Sequence, residues 1–359
     1  MKICAFLLVV ICILFPACAV EEDVSQSETD VPSYLANYAE QYAENPRAAN
    51  LQWFEDADWG LFLHYGLYAL MEQGEWVQLR HEPPVPVGEY AKLFDRFTAE
   101  NFDADFIVDF VKQVGMDYIT ITSKHHDGFA LFDTAQNDFD APSSAAKRDL
   151  IGELYEACEK GGVGLFLYYS MAADWKHPYF YSRDTGWENA RPAYAEPQPE
   201  YLFEKDGDFA KYHDFADAQV KELLTQYPNI AGIWFDPIMG YYARPDLFDL
   251  EMTYGMIREM SPHALISFKQ GATGEEDFVA PERHVHGMVD RVRQRLGDEA
   301  AAVTAAAWEK NESKPREICD TMQPVLPGIR GGSTWGYNKH IDGKHLTLEQ
   351  VLERYDHAQ

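Results

Sequence analysis

Five short runs dominated by apolar residues recur along the chain, at 60–64, 118–122, 163–169, 230–236 and 264–268, with stretches of helical spacing between them. Strands alternating with helices in this way specify an α/β fold. The fourth run is the sharpest. Ile230 to Phe235 is apolar throughout, and it stops at Asp236-Pro237. Such a run marks a parallel strand buried on both faces, ending where the chain surfaces. The acid that ends it is either a turn or helix-capping residue before proline, or a functional carboxylate at the C-terminal end of a barrel strand.

The alternation alone fits a barrel or an open doubly wound sheet. No Gly-x-Gly-x-x-Gly follows an early strand and no phosphate-binding Gly-x-x-x-x-Gly-Lys-Ser/Thr occurs. Polar or aromatic clusters instead follow four successive strands: His64-Tyr65, Lys124-His125-His126-Asp127, Tyr168-Tyr169-Ser170 and Asp236. A site assembled from several strand ends is the signature of a (β/α)8-like barrel. Between the strands, 103–114 has helical apolar spacing (Phe106, Ile107, Phe110, Val111, Val114) and Gly115 as its stop. Further helices are expected at 150–160, 214–227 and 252–260. The aromatic, proline-bearing stretch 171–208 is too long for a spacer and reads as an active-site loop.

With 359 residues, 46% hydrophobic, the chain can bury a full core. Its 30 basic and 59 acidic residues give a net charge of −29, which disfavours nucleic acid or an anionic membrane as partner. A neutral sugar is indifferent to that charge; a heavily sulfated polymer is repelled unless a local basic patch compensates. Residues 1–19 read as an export signal: Lys2, an apolar stretch from Ile3 to Phe15, and Ala17-Cys18-Ala19 as the cleavage pattern. Lipid attachment at Cys18 is the second reading, and the apolar stretch is short for a membrane span. Residues 20–45 read as a polar linker turning helical near Tyr34, leaving 46–359 as the catalytic region. Cys158 and Cys319 do not form a disulfide framework, and Cys158 reads as a buried small apolar residue.

Histidine, tryptophan and carboxylates gathered at strand ends suit a sugar pocket. Hydroxyls need directional donors and acceptors, and the apolar face of a pyranose packs on indole. Two carboxyls across such a pocket perform glycoside chemistry. The adjacent histidines could suggest a metal, but no third ligand at useful spacing accompanies them, so neither metal nor cofactor is expected.

Taken in order, Phe62-Leu-His-Tyr-Gly-Leu-Tyr68, Lys124-His-His-Asp-Gly-Phe129, Lys147-Arg-Asp-Leu150, Leu167-Tyr-Tyr-Ser170 and Trp234-Phe-Asp236 resemble the α-L-fucosidases of glycoside hydrolase family 29. The likeness runs from about Trp53 to the end. It implies a (β/α)8-like barrel and retaining hydrolysis without a metal. It makes Asp236 the nucleophile, and His64, His125 and His126 the ligands of fucose hydroxyls. Trp76 and Trp234 would line the pocket, Glu75 and Tyr169 would add contacts, and Trp335 would close it near the sugar's methyl group. The acid/base falls on Glu282, with Glu276 and Glu275 as competitors.

Two departures stand out. Some relatives carry an arginine shortly after the strand before the acid/base loop; here Lys269-Gln270 stand there, and lysine cannot reproduce a bidentate guanidinium contact. The chain also stops within an expected late helix, 348–357, without the family's last barrel strand and C-terminal β-sandwich, so the barrel is expected to be incomplete. The function expected is an exported retaining exo-α-L-fucosidase acting on fucosylated glycans. The alternatives are a hydrolase of a related sugar such as α-L-galactose, and a non-catalytic fucose-binding barrel.

Overall fold

The computed structural model describes residues 31–282, 288–324 and 334–358. The export pattern at 1–19 with its Cys18, and the first part of the expected linker, 20–30, lie outside the described residues. From Val31 the chain belongs to one folded unit. Tyr34 and Leu35 are buried, and the Tyr34 ring lies 4.5 Å from that of Trp53, so 31–45 is packed structure rather than spacer.

Five strands are described: β1 (Gly60–Leu63), β2 (Tyr118–Lys124), β3 (Gly164–Ser170), β4 (Gly232–Asp236) and β5 (Leu265–Phe268). All pair in parallel and lie in chain order. A doubly wound sheet reverses its strand order at a switch point; an unreversed order is that of a (β/α)8 barrel wall. The helices packed on the strands or flanking them are α1 (Pro46–Asp56), α2 (Ala104–Gln113), α3 (Leu150–Gly161), α4 (Ala210–Gln226), α5 (Leu250–Met260), α6 (Val289–Leu296) and α7 (Asp298–Asn311), with α8 (Leu348–Ala358) near the end. Side chains start several of them: Asp103 accepts from Phe106 N at 2.9 Å, Asp149 from Gly152 N at 2.8 Å, and Asp249 from Met252 N at 3.1 Å. Gly162 ends α3 in the left-handed region at φ 69°, where a side chain would be strained. No described helix is long and apolar enough to cross a membrane.

Side chains alternate across each strand, dividing the core in two. Leu165, Leu167 and Tyr169 of β3 pack outward with Ile233, Phe235 and the helical shell. Phe166 and Tyr168 face inward with Trp234 and Leu265, over a floor made by Trp53 and Phe54 of α1. The floor is tight: a Cβ on Gly164 would lie 2.2 Å from the Trp53 ring. On α2 the buried residues are Ala104, Val108 and Val111, while Phe106, Phe110 and Val114 stay exposed. The helix expected at 103–114 is there, but the stripe it buries is rotated from its aromatic one.

Candidate active site

The inward-facing residues climb from the apolar floor to a polar rim at the C-terminal strand ends. There β1 presents His64, β2 leads into His125 and His126, β3 contributes Tyr168, β4 contributes Trp234 and Asp236, and Lys269 follows β5. These residues enclose a cavity of about 220 Å³ together with Glu75, Trp76, Glu282 and Trp335. That is below the ~300–1,000 Å³ of a drug-sized site and suits one sugar ring. A wider depression of about 680 Å³ lies on the helical shell near Phe102 and Arg148. It shares no lining residue with that cavity, and its Arg148 is committed to Glu153 and to the Ala99 and Phe102 carbonyls.

Asp236 is buried at the end of β4. Its Oδ2 accepts the Tyr168 hydroxyl at 2.7 Å, and its Oδ1 lies 3.4 Å from Lys269 Nζ. Burial pushes this carboxyl above its ordinary range; the Lys269 charge and the Tyr168 hydrogen bond oppose that, and Glu282 adds to it. Glu282, half-buried and bridged to the strand-like segment at Cys319, accepts from the same Lys269 Nζ at 3.2 Å. The two contacts bound the separation of those carboxylate oxygens at about 6.6 Å, at the lower edge of the ~6.5–9.5 Å of inverting glycosidases and compatible with the ~5–5.5 Å of retaining ones. Burial alone would lower the Lys269 pKa, but the Asp236 and Glu282 carboxylates drive it above the ordinary lysine value, so it is a fixed cation. Its ammonium also lies 4.8 Å from the Trp234 ring centroid. Lys269 reaches this position from a left-handed backbone, φ 53°, which a residue with a side chain adopts only when its surroundings enforce it.

The three histidines converge as expected. The rings of His64 and His125 are 5.5 Å apart, and those of His125 and His126 are 4.0 Å apart. Burial lowers all three pKa values, to about 3 for His64, so the imidazoles are neutral at pH 7. The His126 tautomer follows from its neighbour. Ser170 Oγ donates to the Ala173 carbonyl at 2.6 Å and therefore accepts from His126 Nδ1–H at 2.7 Å. His126 Nε2 is left as an acceptor, 3.8 Å from Asp236 Oδ2. Two acceptors at that distance make a receptor for a hydroxyl. The Nδ1 atoms of His64 and His125 have no hydrogen-bond partner among the described residues.

Indoles complete the wall. Trp335 stacks over His64 at 5.7 Å, Trp234 over Tyr168 at 5.5 Å, and Trp76 meets His126 edge-on at 5.0 Å. Glu75 holds the Trp335 segment rather than standing free: its Oε2 accepts from the backbone N–H of Trp335 at 2.9 Å and of Gly336 at 2.7 Å. The 171–208 stretch does reach the pocket, through Trp187 and Asn189.

Several expected residues fall elsewhere. Tyr169 points outward; its hydroxyl donates to Gln219 at 2.8 Å, and the pocket tyrosine is its neighbour Tyr168, on the opposite face of the strand. Glu276 is buried away from the cavity, accepting from the backbone N–H of Ala272, Thr273 and Gly274 and from the Tyr254 hydroxyl. Burial would raise its pKa, but those donors lower it, as befits a structural carboxylate. Glu275 is exposed and does not line the cavity. Of Lys124-His125-His126-Asp127, only the histidines face the pocket. Lys124 pairs with Asp174 at 2.8 Å, and Asp127, pushed up to about 6 by burial, accepts from Tyr90 at 2.7 Å. The Lys147-Arg148-Asp149 segment is also structural, Arg148 bracing the loop and Asp149 capping α3.

A parallel barrel wall whose C-terminal rim carries two facing carboxylates, imidazoles and indoles is the architecture of carbohydrate-active (β/α)8 proteins. Residues 26–354 match the family model described as Alpha-L-fucosidase, and the chain belongs to that family. It is 25% identical over 318 residues to Alpha-L-fucosidase 1 of Arabidopsis thaliana, covering 86% of this chain and 53% of that protein. It resembles the solved alpha-L-fucosidase isoenzyme 1 of Paenibacillus thiaminolyticus at 31% identity and a TM-score of 0.64, covering 86% of this chain and 66% of that one. Alpha-L-fucosidase AlfC of Lactobacillus casei, solved in complex with its alpha-L-fucose product, matches at 29% identity and a TM-score of 0.62, covering 86% and 87% of the two chains. The chain spans about half the length of the curated relatives it matches.

Proposed function

We propose that this protein is a retaining exo-α-L-fucosidase that removes terminal α-L-fucosyl residues from glycans. The observation that carries the reading is the Lys269 ammonium held between Asp236 and Glu282 in a cavity sized for one sugar. In this reading the Asp236 carboxylate attacks the anomeric carbon as the bond to the leaving oxygen breaks, and the Glu282 carboxyl gives that oxygen its proton. The Glu282 carboxylate then takes a proton from a water molecule. The resulting nucleophile attacks the same carbon and frees Asp236. Two inversions leave the α configuration. Lys269 and Tyr168 stabilise the charge on Asp236 as it departs. His64, His125 and His126 bind hydroxyls as neutral imidazoles, Glu75 fixes the segment bearing Trp335, and Trp76, Trp234 and Trp335 pack on the sugar. The product bound to the L. casei relative supports fucose as the sugar. Export rests on the residue pattern at 1–19 alone.

The test is turnover of 4-nitrophenyl α-L-fucoside beside the corresponding α-L-galactoside. Faster release from the fucoside supports the reading; preference for the galactoside assigns the related sugar; binding of fucose without turnover of either makes the protein a lectin-like barrel.

A further inference from the structure

The cavity has one edge that the proposed chemistry does not use. Met288, Arg291 and Arg295 all line it, and they stand at intervals of three and four residues, so they share one face of α6. Val292 anchors the helix from its buried side. Arg293, two residues from each arginine, points elsewhere and pairs with Asp290 and Asp298. Among the described residues neither Arg291 nor Arg295 forms an ion pair, although the chain carries 59 acidic residues against 30 basic ones. Both are exposed, whereas Asp236, His125 and His126 are buried. The cavity's acids are otherwise occupied: Asp236 and Glu282 share Lys269, and Glu75 binds backbone N–H groups.

We propose that Arg291 and Arg295 form an anion-recognising subsite for the leaving group, so that the favoured substrates carry a sulfate ester or a carboxylate on the sugar next to fucose. This rests on the fucosidase reading and adds to it the substrate class. Paired guanidinium groups match the planar and tripodal oxygen arrays of carboxylate and sulfate through several charge-assisted hydrogen bonds. The net charge of −29 does not forbid it. Exposed charges beyond about 8 Å are largely screened at physiological ionic strength, so the cations that line the cavity, Arg291 and Arg295 with Arg80 and Lys269, shape the field there more than the net charge does. A diffuse polyanion is still repelled by the remaining surface. The preferred anion is therefore local, one group on a short glycan.

The experiment uses the full chain carrying Asp236→Asn, which should bind without cleaving. Three probes are titrated by calorimetry: α-L-fucosyl-(1→3)-N-acetylglucosamine, its 6-O-sulfate, and an α-L-fucosyl glucuronate. Neutral 4-nitrophenyl α-L-fucoside is assayed in parallel on the unsubstituted chain. At least one anionic probe should bind about 10-fold or more tighter than the neutral one, as charge-assisted contacts of this kind provide. Adding Arg291→Gln and Arg295→Gln should erase that ratio, Arg291→Lys with Arg295→Lys should keep part of it, and Arg293→Gln should leave it unchanged. High salt should shrink the ratio. Which anionic probe wins identifies sulfate or carboxylate. Equal affinities for all three probes, or a ratio that survives the double Gln substitution, would overturn the subsite even if the neutral aryl fucoside is hydrolysed. If no probe binds and the aryl fucoside is not hydrolysed, both the subsite and the fucosidase reading fail.

Discussion

Replacing Lys269 by Met removes a cation that touches both carboxylates. Its ammonium lies 3.4 Å from Asp236 and 3.2 Å from Glu282. At an effective dielectric of about 20 each contact is worth about 5 kcal/mol gross. The cost of burying the lysine offsets much of that. What survives should resemble the loss of one preorganised electrostatic group in other enzymes, about 3–4 kcal/mol, or a fall of about 10²–10³ in kcat. The pH dependence has a definite sign. Burial already raises the Asp236 pKa, and Lys269 opposes it, so the variant's nucleophile stays protonated to higher pH. The deficit in kcat/KM for 4-nitrophenyl α-L-fucoside should be largest on the acid side and shrink as the pH rises. Lys269→Arg keeps the charge and should recover part of the rate, with the thermal midpoint checking the fold of both variants. A Lys269→Met enzyme with an unaltered rate and an unaltered acid limb would refute the bridging role.

Tyr168→Phe removes a hydrogen bond to a carboxylate, worth about 1.5–3 kcal/mol, and should slow turnover by about 10–100-fold, whereas Tyr169→Phe, which loses only the outward bond to Gln219, should lower the thermal midpoint slightly and leave turnover intact. Glu282→Ala should cut kcat/KM for fucosides with poor leaving groups by about 10²–10⁴-fold while sparing kcat/KM for activated aryl fucosides, whose fucosyl-enzyme then breaks down slowly, and added azide should restore kcat with retained configuration. Glu276→Ala strips a buried cluster of donors of their acceptor and should appear as lost stability, by thermal melting, rather than as a leaving-group effect. Activity should persist after dialysis against a strong chelator, because the histidines are assigned to hydroxyls; loss on chelation with recovery on added zinc would reverse that assignment.

The barrel wall was readable because each strand is an apolar run that stops at a polar cluster, and the end of β4 was readable because Asp236-Pro237 stops its run so sharply, although the stop alone left Asp236 open between a turn residue and a functional carboxylate. The choice between Tyr168 and Tyr169 was not. A strand buried on both faces has no polar–apolar alternation, so nothing in Leu165-Phe-Leu-Tyr-Tyr169 tells which parity faces the cavity. The burial face of α2 was obscured for a related reason: two apolar stripes share the helix, and tertiary packing selects Ala104, Val108 and Val111. Glu282 and Glu276 lie in a loop without periodicity. What separates them is a turn of N–H groups closing on Glu276 and a bridge to Cys319 holding Glu282, both long-range or conformational facts. Lys269 was visible as a departure from an arginine pattern. Its place between two carboxylates depends on a backbone angle and on the fold of the following loop, neither of which the residue type announces.

The most direct test of the account is covalent trapping with a slow fluorinated fucosyl donor, 2-deoxy-2-fluoro-α-L-fucosyl fluoride, followed by intact-mass measurement and peptide mapping. One fucosyl adduct per chain is expected, on the peptide bearing Asp236, absent from the Asp236→Asn variant and lost slowly as the enzyme turns over. An adduct on another residue, or hydrolysis without any adduct and with a β-configured first product by proton NMR, would contradict it.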